Sequence, residues 1–196
     1  MNALKTAALA LLAVTLLAGC SADPLAQQYA DGTNQNYISG DGSLTTIAPE
    51  DRVDPVTFTA ETAEGDPVSS DDFAGEVLVV NFWYAACPPC RVEAPDLEAL
   101  HTEFEGNGAS FLGVNVRDQA DTAKTFEAET GITYASVIDA NDGNMMLAFA
   151  GTVAPNAVPT TLVIDKQGRV AARFLGLIES PTALKTIIDE TIAEAD

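Results

Sequence analysis

The sequence is poor in cations and in metal-binding side chains. Against twenty-nine Asp and Glu it carries nine Lys and Arg, one histidine (His101), one tryptophan (Trp83) and three cysteines. So few cations in so acidic a chain leave no basic patch, and a net charge of −20 repels nucleic acid and anionic headgroups. No nucleic-acid partner is expected. A structural zinc needs four ligands, which one C-x-x-C, one other cysteine and one histidine poorly supply, so neither a metal nor a cofactor is expected. The apolar run Thr6–Ala18 is too short for a comfortable membrane span, and no segment repeats.

What is present centres on Val77–Pro95, V-L-V-V-N-F-W-Y-A-A-C-P-P-C-R-V-E-A-P. Val77 to Phe82, interrupted only by Asn81, has the length and β-branched content of a buried strand. After Cys87 and Cys90, the residues Ala94, Leu97, Leu100 and Phe104 recur at helical spacing with charged residues between them. Strand, turn, C-x-x-C and helix therefore follow in order. Two cysteines three apart in the first helical turn bring their sulfurs within bonding reach. The leading one sits where free N–H groups converge and favour thiolate over thiol. A purely structural disulfide there would close a minimal loop and constrain almost nothing, so redox chemistry is the better reading.

N-F-W-x-x-x-C-P-P-C-R-x-E-x-P resembles the active site of the TlpA/ResA-like thiol-disulfide oxidoreductases, a membrane-tethered branch of the thioredoxin superfamily, and the likeness extends over residues 53–196. The fold implied is α/β: a thioredoxin-like mixed central sheet flanked by helices, with an N-terminal hairpin and a central insertion.

The ends of the chain fit export. Lys5, the apolar run and Leu17-Ala18-Gly19-Cys20 read as a signal peptide over residues 1–19, and L-A-G-C resembles a bacterial lipobox in which Cys20 is lipidated. The alternative is an ordinary signal with an incidental cysteine. Without residues 1–19 only Lys5 is lost, so eight basic and twenty-nine acidic residues leave −21. This charge suits solubility at raised salt or basic partners, and by itself indicates no function. Residues 20–52 are polar and turn-rich and read as a flexible, lipid-anchored linker; about thirty such residues reach roughly 30 Å. Its few apolar residues (Tyr37, Ile38, Leu44, Ile47) could instead dock on the domain.

Within the domain, Val56–Thr59 and the turn at Glu64–Pro67 suggest a hairpin, and Ser70–Phe73 a helical turn. Pro95 should kink the active-site helix, at an offset the thioredoxin family shares. Phe111–Val116 reads as a strand, and Asp118 as the cap of a helix from Gln119 to Thr130 closed by Gly131. Thr133–Ile138 and Asp142–Ala150 are expected as a strand and a short helix, with D-A-N-D-G at Asp139–Gly143 a turn and cap, since it lacks the later carboxylate of a calcium loop. Thr160–Ile164 and Val170–Gly176 form a hairpin, and Ser180-Pro181 starts a last helix with a stripe of Leu184, Ile187, Ile188 and Ile192.

The resemblance gives the residues roles. Cys87, expected to be the more exposed thiol, attacks a partner disulfide, and Cys90 resolves the mixed disulfide. Thioredoxins place a buried aspartate six residues before the first cysteine; here Asn81 stands there and cannot titrate. Glu93 matches the glutamate of the ResA-like proteins and is expected, partly desolvated and with a raised pKa, to take the Cys90 proton; its alternative is a solvated surface glutamate. Val158-Pro159 matches the superfamily's cis-proline loop, and with Trp83, Pro88 and Pro89 is expected to meet the substrate. The prolines stiffen the loop and disfavour a very strong oxidant. Where the family usually has tryptophan before the first cysteine, this chain has Ala86, which opens the surface around Cys87.

The implied activity is a membrane-anchored, extracytoplasmic thiol-disulfide oxidoreductase that reduces disulfides of exported proteins such as apocytochrome c, with electrons from a membrane donor of the CcdA type. Two alternatives fit the sequence less well. A peroxiredoxin-like thiol peroxidase needs Thr or Ser three residues before the reactive cysteine and proline four earlier still, positions held here by Tyr84 and Val80. A Sco-type metal chaperone needs C-x-x-x-C and a distal histidine.

Overall fold

The computed structural model describes residues 43–152 and 157–194. The expected signal peptide, the lipidated Cys20 and residues 20–42 of the expected linker lie outside the described residues. Among the described residues, no helix is long and apolar enough to cross a membrane.

Strand β4 (Val77–Trp83) is buried along its whole length. It pairs in parallel with β5 (Ala109–Asn115) and antiparallel with β7 (Thr160–Ile164). Outside these lie β6 (Ser136–Ile138), parallel to β5, then β8 (Val170–Leu175) and β1 (Leu44–Thr46), each antiparallel to its neighbour. The sheet order is therefore β1-β8-β7-β4-β5-β6, and β2 (Thr59–Glu61) with β3 (Pro67–Ser69) forms a second, two-stranded sheet, with Thr62 just after β2 bridged to Val137 of β6. Both faces of β4 are covered, which is why its sequence is an almost unbroken apolar run. Val77 and Val79 meet Leu97, Leu100 and Phe104 of helix α1 (Pro88–Phe104), together with Leu184 and Ile188 of the last helix, α4 (Pro181–Ala193). Leu78, Val80 and Phe82 meet Phe58, Leu162, Met145 of helix α3 (Asn144–Ala148), and Phe149 just beyond it.

The mixed sheet with flanking helices is the expected architecture. Several boundaries move. Val56–Phe58 are not strand; the hairpin pairs Thr59 with Ser69 and Glu61 with Pro67. The expected hairpin of β7 and β8 forms, as does the helical turn at Ser70–Phe73. Helix α2 (Ala120–Thr130) ends on Gly131 in the left-handed region, as expected, but its N-cap is Gln119 without a side-chain bond, and the Asp118 carboxylate is used elsewhere. Asp139 does cap α3, accepting from the backbone N–H of Met145 and Met146. Helix α1 runs on through Pro95 as one element. His101 is half-buried, its ring edge-on to Phe111 and Tyr134 at 5.7 and 5.5 Å, and not on the exposed side of α1.

The largest change is at the boundary placed at residue 53. Leu44–Thr46, inside the segment read as linker, form the edge strand β1 on β8. Ala48 is buried, and Arg52 places its guanidinium against Asp165 and Glu194. Docking of Leu44 and Ile47 on the two core clusters is the alternative that holds for these residues.

Candidate active site

The site forms where β4 ends. Its last residue, Trp83, is followed by a turn in which Tyr84 O accepts from Cys87 N at 3.1 Å, and Cys87 becomes the N-cap of α1. Proline at Pro88 and Pro89 suits these first positions, since the N–H groups it lacks have no helical partner there. Cys87 and Cys90 form a disulfide with Cα atoms 5.3 Å apart, and Cys87 Sγ accepts from Cys90 N at 3.3 Å. This places the leading sulfur on the helix N-terminus, as the spacing required.

Exposure does not distinguish the two sulfurs. Cys87 is 1% and Cys90 2% exposed, so the expectation that Cys87 is the more open fails. Beneath them lies Trp83, itself 2% exposed, with its ring 4.6 Å from that of Phe126. Trp83 was expected to touch substrate; buried as a floor under the disulfide, it does not reach the surface. Pro88 is exposed and Pro89 half-buried. The peptide between Val158 and Pro159 is cis, as expected, and Val158 packs against the cluster that contains both cysteines.

Glu93 lies one turn beyond Cys90 on α1 and is 1% exposed, which rules out the solvated-surface alternative. Its Oε1 accepts from Asn81 Nδ2 at 2.9 Å and its Oε2 from the backbone N–H of Ile178 at 3.1 Å. Burial disfavours the carboxylate and pushes its pKa up to about 7, against the partial opposition of these two bonds. A group that exchanges a proton near neutrality therefore stands on the helix face that carries Cys90.

Asn81 is the residue whose part the sequence did not reveal. Its Nδ2 also donates to Thr161 Oγ1 at 2.9 Å, tying α1, β4 and β7 together at the carboxyl. The signal was available: a lone amide within a buried apolar strand requires partners, and alternation puts it on the same face as Val77 and Val79, toward α1.

The matches to known proteins agree with this geometry. Residues 53–173 match the AhpC/TSA family. The chain is 35% identical to the thiol:disulfide interchange protein HelX of Rhodobacter capsulatus, over 71% of this chain and 72% of that one. It is 30% identical to the thiol-disulfide oxidoreductase ResA of Halalkalibacterium halodurans over 62% of this chain, a match that spans 66% of the relative. A secreted thiol-disulfide isomerase from Corynebacterium glutamicum superposes with a TM-score of 0.72 at 30% identity, covering 83% of this chain and all of that one. A DsbF homologue from Corynebacterium diphtheriae superposes with a TM-score of 0.70 at 34% identity, over 81% of this chain and 99% of that one.

Proposed function

Since the chain belongs to the AhpC/TSA family and is a thiol-disulfide oxidoreductase of the ResA/HelX type, we propose that it works as an extracytoplasmic reductant of exported proteins, lipid-anchored through Cys20. The substrates are protein disulfides such as those of apocytochrome c, and the electrons come from a membrane dithiol donor of the CcdA type. The signal-like residues 1–19 and the L-A-G-C sequence support the location. The observation that carries the chemistry is the buried Glu93 carboxyl, one turn from Cys90 and held by neutral donors among the described residues.

In the reduced enzyme the Cys87 thiolate attacks one sulfur of the substrate disulfide and expels the other as thiolate, forming a mixed disulfide. Cys90 then loses its proton to Glu93 and attacks Cys87 Sγ. The second substrate thiol leaves, and the enzyme is left with the Cys87–Cys90 disulfide seen here. Two electrons have passed to the substrate, and the membrane dithiol returns them. The packing of Val158 against the cluster that holds both cysteines, and the exposure of Pro88 next to Cys87, support a partner segment that meets Val158, Pro159 and Pro88.

The deciding measurement is the redox equilibrium of the Cys87–Cys90 pair against glutathione. A potential well below the glutathione couple is expected; one well above it would make the protein an oxidant and overturn the reading. Cys90→Ser should accumulate mixed disulfides on Cys87, and Cys87→Ser should not. Metabolic labelling should place lipid on the wild-type protein and none on Cys20→Ser, and an unlabelled wild type removes the anchor from the proposal. The peroxidase alternative gains nothing from the structure, because Tyr84 and Val80 occupy the positions where its Thr or Ser and its proline would stand.

A further inference from the structure

The turn that delivers Cys87 is fixed from outside. In the reversal Tyr84–Cys87, closed by Tyr84 O and Cys87 N, the second residue is Ala85, whose N–H the turn itself does not use. That N–H donates to Asp118 Oδ2 at 2.6 Å. The same carboxylate oxygen accepts from Asn115 Nδ2 at 2.9 Å, while Asn115 Oδ1 accepts from the backbone N–H of Arg117 and Asp118 at 3.0 and 2.7 Å. Asn115, fully buried, is the last residue of β5. On the other side Ala85 O accepts from Arg91 Nη1 at 3.2 Å, and the Arg117 guanidinium lies 4.2 Å from the centre of the Tyr84 ring. Ala86, small and exposed, adds no large side chain to pack the turn in place.

The geometry points to Asp118 as a positioning residue for Cys87: its carboxylate holds the turn from which the attacking thiol enters helix α1. This hydrogen bond ends on an N–H that nothing else in the turn holds. The orientation is passed along a short chain, from the end of β5 through Asn115 and Asp118 to Ala85 and then to Cys87. What it sets is the direction of Cys87 Sγ, which faces Cys90 N at 3.3 Å. In the reduced protein that N–H and its helix stabilise the thiolate, and a turn free to rotate carries the sulfur away from them. The sequence alone assigns Asp118 to the cap of α2, but that helix begins without a side-chain cap because the carboxylate serves the turn instead.

The inference rests on Cys87 being the attacking thiol. The test is the rate of iodoacetamide alkylation of the reduced, full-length protein against pH, with peptide mapping to identify the cysteine modified. Asp118→Asn keeps an acceptor in place and loses the charge; Asp118→Glu keeps the charge and displaces the acceptor by one methylene. Asp118→Glu should raise the apparent pKa of Cys87 by about one unit and slow its alkylation about tenfold at pH values below the wild-type pKa, while Asp118→Asn stays at or slightly below the wild-type value. Should Asp118→Glu not fold, Asp118→Ala carries the same expectation. The reverse pattern would mean the charge acts and the geometry does not. Profiles for both variants that match wild type also overturn the assignment, leaving Cys87 as the nucleophile. Alkylation that maps to Cys90 in the wild-type protein instead overturns the role of Cys87, and with it the positioning of Cys87 by Asp118.

Discussion

Two carboxylates are buried at opposite ends of β7, and they are held in opposite ways. Past its far end, Asp165 is 2% exposed and accepts from Arg52 Nη1 and Arg169 Nε, each at 2.9 Å, and from the backbone N–H of Gln167 and Arg169. Near its start, Glu93 is as deeply buried and accepts only from the Asn81 amide and the Ile178 N–H among the described residues. A buried carboxylate with guanidinium partners ties distant segments together; Arg52 joins Asp165 to Glu194 at the end of α4. One with neutral donors alone is left near its point of titration, and it stands one turn from Cys90 on α1. The difference in partners separates a fastening from a carboxyl whose pKa is raised to about 7.

The comparison is broken most severely at the paired end. Asp165→Ala leaves two guanidinium groups without their shared acceptor, Arg52 with 3% side-chain exposure, and should destabilise the fold by about 3–5 kcal/mol. Denaturant unfolding measures this. The thiol pH profile of the folded variant should match wild type, because the ion pair lies at the other end of the sheet from Cys87. A shifted profile would mean the two ends are coupled.

Next in size is Glu93→Gln. A carboxyl whose pKa rises on folding from 4.5 to about 7 binds its proton more tightly in the native state. Stability is therefore full below about pH 4.5, falls as pH rises through the window to about 7, and is flat above it, a total of roughly 3 kcal/mol. The glutamine variant should lack this decline, matching wild type near pH 5 and exceeding it by about 2 kcal/mol at pH 8, because the amide also forfeits one acceptor. The same variant should lower the apparent thiol pKa and slow resolution of a preformed mixed disulfide. Equal pH slopes in the two proteins would return Glu93 to a purely structural part.

The two ends were not equally legible in the sequence. The cysteines, the strand before them, the helix after them, Glu93 and the cis bond at Pro159 all lie in local patterns: an apolar run, a helical period, a motif, an X–Pro dipeptide. The Arg52–Asp165–Glu194 fastening has no such pattern, since its members are joined only once β1 has found β8 across the chain. Leu44–Thr46 looked like linker for the same reason: three half-buried residues carry too little periodicity to announce an edge strand. Asp118 misled in a different way. Asp before a helix is usually its cap, and only the folded position of Ala85 offers it a competing N–H. Trp83 and Cys87 were placed too near the surface because a motif states which residues meet and not how deep they lie.

The finest test separates charge from packing at Glu93. Asn81 supplies the side-chain bond to this carboxyl, and that bond favours its ionised form. Asn81→Ala should therefore push the Glu93 pKa further above 7 and extend the decline in stability to higher pH. The substitution also removes volume and the partner of Thr161 Oγ1, a cost that does not depend on pH. A double-mutant cycle with Glu93→Gln removes that constant cost. Its coupling energy should be small near pH 5, where Glu93 is protonated with or without the amide, and grow to about 1 kcal/mol by pH 9, where the wild-type carboxylate is charged. Thermal or denaturant unfolding at the two pH values provides the cycle. A coupling of the same size at both would mean that Asn81 packs against Glu93 without setting its ionisation, and the contrast with Asp165 would then rest on the guanidinium groups alone.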